Sequence, residues 1–429
     1  MMMRVAVIGA GAAGLCAARH ILARPKVFAR PVVFELIDRV GGTWCYEEEV
    51  GVYDSGRPVH SSMYRDLRTN LPKEVMMFPD FPFDPELSSF MSHQEVQKYL
   101  EKYCQSHSIG PHIRFNTAVE KVQPVTDLQE GGATVTSWRV TSSHVSGLQK
   151  TETFDAVFVC AGHYSDPHIP DIPGIQHFKG TVLHSHSYKF PEAFAGQSIV
   201  VLGAKASGLD ISMELAKVGC QVTLSHRGPR LTFPLPPGIN ESSTMVSIQE
   251  DGSVLFQDGS VGVADVLIFC TGYNFKYPFL DSAELGVDIQ QHVMSPLYRY
   301  MMPPAFPSLF FIGVCKLICP FPNFNCQVQF ALAVLDGTVP LPSRVQMEKE
   351  VRQEEQEKLD QGVEHRHLMV IQRHQWDYCQ MLARAAGFPP LPPVVRSLYE
   401  EVWRQRRIDP DGYRQHNYRL VSATQWEMI

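Results

Sequence analysis

Arg4-Val5-Ala6-Val7-Ile8-Gly9-Ala10-Gly11-Ala12-Ala13-Gly14 opens the chain with a short apolar run and a glycine-rich turn. The run suits a buried parallel strand, which is apolar on both faces. A helix-forming stretch from Leu15 to Ala23 follows, and Pro31-Val32-Val33-Phe34-Glu35 reads as a second strand. The pattern is strand, GxGxxG, helix, strand. Gly9 permits the tight turn, Gly11 admits a pyrophosphate close to the backbone, and Gly14 lets helix pack on strand, with Ala10, Ala12 and Ala13 between them. The first N–H groups of the helix then face the anion. Glu35 stands 21 residues beyond Gly14, close to the roughly 20 expected of an acid that grips a ribose hydroxyl. GxGxxG alone is a weak signal. Strand, helix and acid in their places make it specific.

The same plan returns near Gln197. Ser198-Ile199-Val200-Val201-Leu202 is a strand, Gly203-Ala204-Lys205-Ala206-Ser207-Gly208 the turn, and Leu209 to Val218 a helix closed by Gly219. Gln221-Val222-Thr223-Leu224 is the next strand, and Ser225-His226-Arg227 follows it with no acid. An acid there repels a 2′-phosphate, whereas Arg227 can fork onto one, so the second turn favours NADP over NAD. The bland alternative is an ordinary surface arginine; placement at a strand end favours the ligand. Lys205 stands where the middle glycine belongs. Its side chain crowds the pyrophosphate, or adds a positive charge beside it, or points to solvent. The sequence leaves these open.

Two dinucleotide folds imply two nucleotide cofactors, and FAD with Glu35 and NADPH with Arg227 is the economical assignment. Asp155-Ala156-Val157-Phe158-Val159-Cys160-Ala161-Gly162 and Asp265-Val266-Leu267-Ile268-Phe269-Cys270-Thr271-Gly272 are each an acid, an apolar strand and a small-residue turn. They fit strands that carry the chain between nested domains. The expected fold is α/β with two nested Rossmann-like dinucleotide-binding domains. Residues 1–166 begin a discontinuous FAD domain, residues 167–274 form an inserted NADPH domain, and residues 275–429 complete the FAD domain and add C-terminal helices. Past Pro342 the chain turns polar, and Ser343 with Gln346 predicts a capping box for a solvated helix through Asp360.

Composition narrows the remaining classes. The 429 residues are 44% hydrophobic and 19% charged, near the soluble globular average, which excludes collagenous, disordered and low-complexity chains. The net charge of −7 argues against nucleic acid or an anionic membrane as main partner. No uncharged apolar run reaches the roughly 18 residues of a spanning helix. The apolar N-terminus resembles a signal peptide, but cleavage there would remove the glycine turn, so it reads as retained. The ten cysteines are scattered, several inside strand-like runs, which suits reduced buried thiols in the cytoplasm. A homodimer is compatible with the sequence.

With these residues in place the chain resembles the flavin-containing monooxygenases over Val5 to about Ala331. Phe178-Lys179-Gly180-Thr181-Val182-Leu183-His184-Ser185-His186-Ser187-Tyr188 matches the family's identifying pattern FxGxxxHxxxY. Gly41-Gly42-Thr43-Trp44, Thr69-Asn70-Leu71-Pro72-Lys73 with Phe78-Pro79-Asp80-Phe81-Pro82-Phe83, and Phe269-Cys270-Thr271-Gly272-Tyr273 resemble further signatures. The similarity is greatest to compact members, such as plant glucosinolate S-oxygenases and insect alkaloid N-oxygenases, which lack the hydrophobic tail of the microsomal mammalian enzymes. Lys205 is the clearest departure and bears on NADPH affinity.

The resemblance implies a reaction in two halves. NADPH reduces FAD, and the reduced flavin takes O₂ to form a C4a-hydroperoxide that oxygenates a soft nitrogen or sulfur nucleophile of a small molecule. The cofactor carries the difficult chemistry while the protein orients, polarises and excludes water. By the same resemblance Asn70, the nominated catalytic side chain, sits by the flavin and the retained nucleotide. Its uncharged amide offers two donors and an acceptor. Thr69, Gly42 and Trp44 belong to the flavin-binding motifs, and the Gln327 backbone is implied to reach the flavin ring. Trp44 and Asn70 also have ordinary readings, as a core aromatic and as a turn former before Leu71-Pro72. His184-x-His186 lacks a recognisable third ligand, so no metal is predicted; the resemblance gives His184 a domain-linking role. A Baeyer–Villiger monooxygenase acting on ketones is the alternative enzyme, although Tyr188-Lys189 stands where its pattern has Trp then Pro or Asp. A disulfide reductase fails because Val50 stands where the partner of Cys45 is needed. A flavin-binding sensor, or a flavoprotein that mostly yields peroxide, is the remaining option.

Overall fold

In the computed structural model, residues 2–128 and 134–429 of the chain are described. The elements that position the site are, in chain order, β1 (Val5–Ile8), α1 (Ala12–Leu22), β2 (Val32–Phe34), α2 (His93–Ser106), β3 (Ile113–Arg114), β4 (Ala156–Val159) and β5 (Thr181–His184). They continue with β6 (Ser198–Leu202), α3 (Ala206–Lys217), β7 (Gln221–Ser225), β8 (Ile239–Ser242), β9 (Val266–Phe269) and β10 (Leu309–Phe311). Helices α4 (Pro320–Leu335), α5 (Arg344–Asp360), α6 (Gln375–Ala386) and α7 (Pro393–Ile408) end the series.

The strands form two five-stranded sheets, β10-β4-β1-β2-β3 and β8-β7-β6-β9-β5, with parallel neighbours throughout. β1, β4, β9 and β10 are buried at every residue, as strands covered on both faces must be. Their period of two sorts the core. Val5 and Val7 pack with α1 and α4, whereas Ala6 and Ile8 face Trp138, Val140 and Phe154 of a three-stranded antiparallel sheet on the other side. The second sheet repeats this arrangement. Val201 packs with Ile211 and Leu215 of α3, while Val200 and Leu202 face Val254 and Phe256 of a smaller antiparallel sheet.

The repetition extends to details. The Asp155 carboxylate accepts the Arg4 N–H at 2.7 Å at the start of β1, and the Asp265 carboxylate accepts the Ser198 N–H at 2.9 Å at the start of β6. Each acid–strand–turn segment therefore lies beside the first strand of its own sheet. β10 joins the first sheet after the chain has completed the second, so one Rossmann-type domain is nested within the other. The two segments that cross between them pair antiparallel, Asp166–Pro167 against Tyr273–Asn274.

Ser343 caps α5 by accepting the Gln346 N–H at 3.3 Å. The predicted box is only half formed, because the Gln346 side chain turns along the helix to Glu350 at 3.0 Å. A complete box stands instead at α2, between Ser92 and Glu95. No helix among the described residues is long and apolar enough to cross a membrane.

Candidate functional site: two nucleotide cradles

The first cradle is a backbone construction. Gly9 ends β1 at φ +102°, and a Cβ there would lie 2.6 Å from the Cys160 carbonyl oxygen. A Cβ on Gly14 would lie 1.8 Å from the Gly9 oxygen, so strand and helix touch where the side chain is missing. Gly11 is the N-cap of α1 with φ −76°, and no side chain caps the helix. A Cβ at Gly11 would meet the Gly42 Cα at 3.3 Å. Ala10 is fully buried, and Ala12 and Ala13 begin α1. An uncapped helix start lined by bare backbone fits a pyrophosphate, since the first N–H groups have no acceptor within the helix.

Glu35 follows β2 and is 5% exposed. Its carboxylate accepts N–H groups from Ala10 at 2.7 Å and Ile37 at 3.1 Å. Burial raises its pKa, and these N–H groups pull the other way. A carboxylate offers about four lone-pair sites, more than these N–H groups fill, which suits a ribose hydroxyl. Gly42 and Trp44 form a short 3₁₀ turn packed on this core. The Gly42 carbonyl pairs with His60 Nε2 at 2.9 Å, and His60 Nδ1 with the Tyr53 hydroxyl at 2.8 Å. The sequence reading missed this brace, because nothing in the spacing links Tyr53, His60 and Gly42.

The second cradle copies the first. Gly203 has φ +113° and would place a Cβ 2.5 Å from the Cys270 carbonyl oxygen, and a Gly208 Cβ would lie 1.7 Å from the Gly203 oxygen. Lys205 is the N-cap of α3 at φ −84°, again without a side-chain cap, flanked by Ala204, Ala206 and Ser207. That backbone is open to any residue, so the turn itself does not require glycine at its middle. Lys205 is exposed, with Arg366 and Glu364 near its ammonium. Burial first, then Arg366, lower its pKa, with Glu364 opposing. Lys316, pushed down to about 8 by burial and by Lys205, adds another cation. These groups come from parts of the chain that sequence spacing does not connect to the turn.

Arg227 lies just beyond β7, exposed and without a hydrogen bond or ion pair among the described residues. The missing acid is partly restored from the neighbouring strand. Glu241 of β8 reaches the same corner, held by His226 at 3.0 Å, the Leu231 N–H at 2.8 Å and Arg230 at 3.6 Å. Those partners occupy the Glu241 carboxylate, and the acid that Arg227 acts on is Glu364, whose pKa Arg366 lowers most and Arg227 helps to lower.

The 69–70 loop is fixed by its pairing with Met91. Thr69, 2% exposed, donates its N–H to the Met91 carbonyl at 2.8 Å and accepts the Met91 N–H on Oγ1 at 3.1 Å. The Asn70 amide, half-buried, has no partner among the described residues. Gln327 stands one layer back. Its Oε1 accepts the Gly313 N–H and its Nε2 reaches the Tyr378 hydroxyl, both at 2.9 Å. It lies inside α4, whose interior backbone groups pair along the helix, so neither side chain nor backbone is free to face a ligand. His163, at the end of the segment after β4, was also missed. Burial pushes its pKa down to about 3, which keeps the ring neutral, and its Nε2 is buried without a partner.

The identifying segment ties the second sheet to residues 59–65. His186 pairs with the Val59 carbonyl at 2.9 Å, and Lys189 Nζ donates to the Met63 carbonyl at 3.2 Å. Tyr188, fully buried, packs on Tyr64 and donates to Glu214 at 2.8 Å. His184 accepts the His186 N–H on Nδ1 at 3.0 Å, so the reach across falls to its neighbours. No group of three or more metal-ligating side chains converges among the described residues.

Two nested cradles, each ending in an uncapped helix, define a two-nucleotide oxidoreductase. The family described as flavin-binding monooxygenase-like matches residues 2–232 and 238–428, and the chain belongs to that family. It is 37% identical over 430 residues to the flavin-containing monooxygenase FMO GS-OX5 of Arabidopsis thaliana, covering 96% of this chain and 89% of that one. It superposes on the S-allyl-L-cysteine S-oxygenase of Allium sativum with a TM-score of 0.87 and 35% identity, over 97% of this chain and 96% of that chain. Cyclohexanone monooxygenase, at 15% identity and a TM-score of 0.60 over 90% and 98% of the two chains, shares the fold alone. The protein is a flavin-dependent monooxygenase, and the Baeyer–Villiger alternative has only that distant likeness.

Proposed function

We propose that this chain uses NADPH, FAD and O₂ to place one oxygen atom on the soft sulfur or nitrogen of a small molecule, with thioethers as the preferred class. The observation that carries the reading is the pair of equivalent uncapped helix starts, with a buried acid beside one and a free arginine beside the other. The sulfur preference rests on likeness to the garlic S-oxygenase over nearly the whole chain. When bound, FAD supplies a ring that accepts hydride from NADPH and then activates O₂.

The remaining work falls to this chain. Gly9, Ala10, Gly11, Ala12, Ala13 and Gly14 present backbone N–H groups to the FAD pyrophosphate, and Glu35 accepts its ribose hydroxyls. Gly42 and Trp44 wall the flavin side, and Gln327 holds the Gly313 turn by accepting its N–H. Gly203, Ala204, Ala206, Ser207 and Gly208 hold the NADPH pyrophosphate, Lys205 adds positive charge beside it, and Arg227 forks onto the 2′-phosphate. Thr69 fixes the loop from which Asn70 offers a neutral amide to the reacting groups. Domain limits of 1–166, 167–274 and 275–429 accord with the antiparallel crossing of Asp166–Pro167 on Tyr273–Asn274. All ten cysteines are unpaired, which supports a reducing compartment, the cytoplasm.

Anaerobic NADPH should bleach the yellow protein, and readmitted air with a thioether should give a product heavier by one oxygen. A colourless protein, or one that NADPH leaves yellow, refutes the proposal. Oxidation of amines but not thioethers refutes the sulfur preference alone.

A further inference from the structure

Three distant parts of the chain meet at one guanidinium. Arg414 lies in a short turn, Tyr413–Gln415, near the C-terminus. Its Nη1 and Nη2 donate to the two carboxylate oxygens of Asp210 at 3.1 and 2.7 Å, and its Nε donates to the Thr69 carbonyl at 3.0 Å. The Tyr64 hydroxyl donates to the same carboxylate at 3.2 Å. The Arg414 and Asp210 side chains are 14% and 17% exposed. Tyr413 lies beneath the guanidinium at 4.9 Å and packs edge-on against Phe90.

The partners give this cluster its meaning. Asp210 is one turn into α3, the helix whose start forms the second cradle. Thr69 immediately precedes Asn70, and its N–H and hydroxyl are already taken by Met91. Its carbonyl is the group left to set the tilt of the Asn70 peptide. A buried ion pair is a poor source of stability, since well-packed apolar residues of the same volume often serve as well. What the arginine adds is direction: its donors lie in one rigid plane and here reach two acceptor groups.

We infer that Arg414 is a positioning residue, which fixes the angle of the NADPH-side helix against the Asn70 loop and so aligns nicotinamide with flavin. The inference rests on the proposed function. Small misplacements of reacting groups are costly, on the order of 100-fold per ångström.

The test uses the full-length holoenzyme and the variants Arg414→Lys, Asp210→Asn and the two combined. Flavin content, thermal midpoint, and anaerobic flavin reduction by saturating NADPH and by dithionite are measured for each. Lysine keeps the charge but loses the fork. Arg414→Lys is expected to retain FAD and to be bleached by dithionite at the parent rate, while reduction by NADPH slows at least about 10-fold. More of the NADPH consumed should then end as peroxide. The double variant should be no slower than Asp210→Asn alone, because both changes break one unit. Unchanged NADPH reduction, or FAD loss with parallel slowing by both reductants, overturns the inference. Tyr64→Phe removes a single O–H from Asp210 and tests the same point should Arg414→Lys fold poorly; about a 3-fold slowing with NADPH alone is expected, and none overturns the inference. A parent protein that NADPH does not bleach refutes the underlying reading, whereas a bleaching parent with unchanged variants refutes only the role of Arg414.

Discussion

The two glycine turns have one backbone and different middle residues, and the difference separates two reasons for glycine. Gly9 and Gly203 sit at φ +102° and +113°, each against the carbonyl of the cysteine that follows the neighbouring strand. Gly14 and Gly208 each back onto the oxygen of the first glycine in their own turn. These positions are dictated by the strand–turn–helix unit, so both copies keep them. The middle residue is extended in both copies, which any amino acid tolerates. What crowds Gly11 is its neighbour Gly42, whose Cα would stand 3.3 Å from a Cβ placed there. In the second turn a lysine stands at that position, with Arg366, Glu364 and Lys316 as its charged neighbours.

The largest expected effect comes from moving the lysine to the other turn. Gly11→Lys brings a Cβ to 3.3 Å from the Gly42 Cα, so that this backbone has to give way, and overpacking of this kind costs about 1–3 kcal/mol. The purified variant should contain little or no FAD, read from flavin absorbance per chain. Full flavin content would mean that the Gly42 contact is not what excludes a side chain.

Asn70 follows the Thr69 carbonyl that Arg414 joins to α3, and it tests the chemistry proposed for both turns. Asn70→Ala should keep its flavin and still be reduced by NADPH, yet lose product formation by about 100-fold, the scale of removing one preorganised polar group. Undiminished product would return Asn70 to the ordinary role of a turn former.

Arg227 tests whether the second turn reads a phosphate that the first does not. Arg227→Ala should raise the NADPH concentration needed for half-maximal reduction about 10-fold, the scale of one charge-assisted hydrogen bond, and leave the NADH requirement nearly unchanged. An equal shift for both coenzymes would assign the phosphate to Lys205, Lys316 or Arg366.

These residues also mark how far the sequence could be read. The strands, the turns, Glu35 and the return of the first domain after the second are encoded locally, by apolar runs and glycines at fixed offsets. Periodicity predicts that β4 and β9 carry the chain across, and their leading acids Asp155 and Asp265 bind the starts of the adjacent strands. The illegible parts depend on contacts between remote segments. Glu241 beside Arg227 comes from a parallel neighbour whose register no spacing announces. The brace of Tyr53 and His60 on Gly42, and the reach of Arg414 to Asp210 and Thr69, cross up to most of the chain. Gln327 misleads because the motif gives its neighbourhood but not the helix that consumes its backbone.

The helices that leave the turns diverge as well. Six residues after Gly14 stands His20, and six after Gly208 stands Glu214. His20 pairs with Asn325 inside its own domain, and burial pushes its pKa down to about 3. Glu214 receives Tyr188, and burial, with Asp66 and Asp210 adding to it, pushes its pKa up to about 7 against the usual 4.5. Between those two values the folded chain binds the Glu214 proton more tightly than the unfolded chain, so this contribution falls as pH rises through the window and is level above it. The His20 contribution runs the opposite way, weakening as pH falls below its ordinary value of 6.5. Glu214→Gln should therefore remove about 1–2 kcal/mol of the stability lost between pH 5 and pH 8, allowing for partial exposure, as measured by denaturant titration. An unaltered pH slope would show that Glu214 titrates normally.

The smallest effect belongs to the lysine itself. Because φ at Lys205 is ordinary and its side chain reaches solvent, Lys205→Gly should fold and bind FAD as the parent does. Glycine loosens the unfolded chain, which costs at most about 1 kcal/mol. The lost charge should weaken NADPH by about 5-fold or less, since an exposed ammonium beside a phosphate contributes no more than about 1 kcal/mol. Raising the salt concentration should shrink that difference, as screening requires. Tighter NADPH binding in the glycine variant would reverse the argument: the lysine would then be an obstacle at the second turn, and its crowding would be of the same kind as the contact that keeps Gly11 bare.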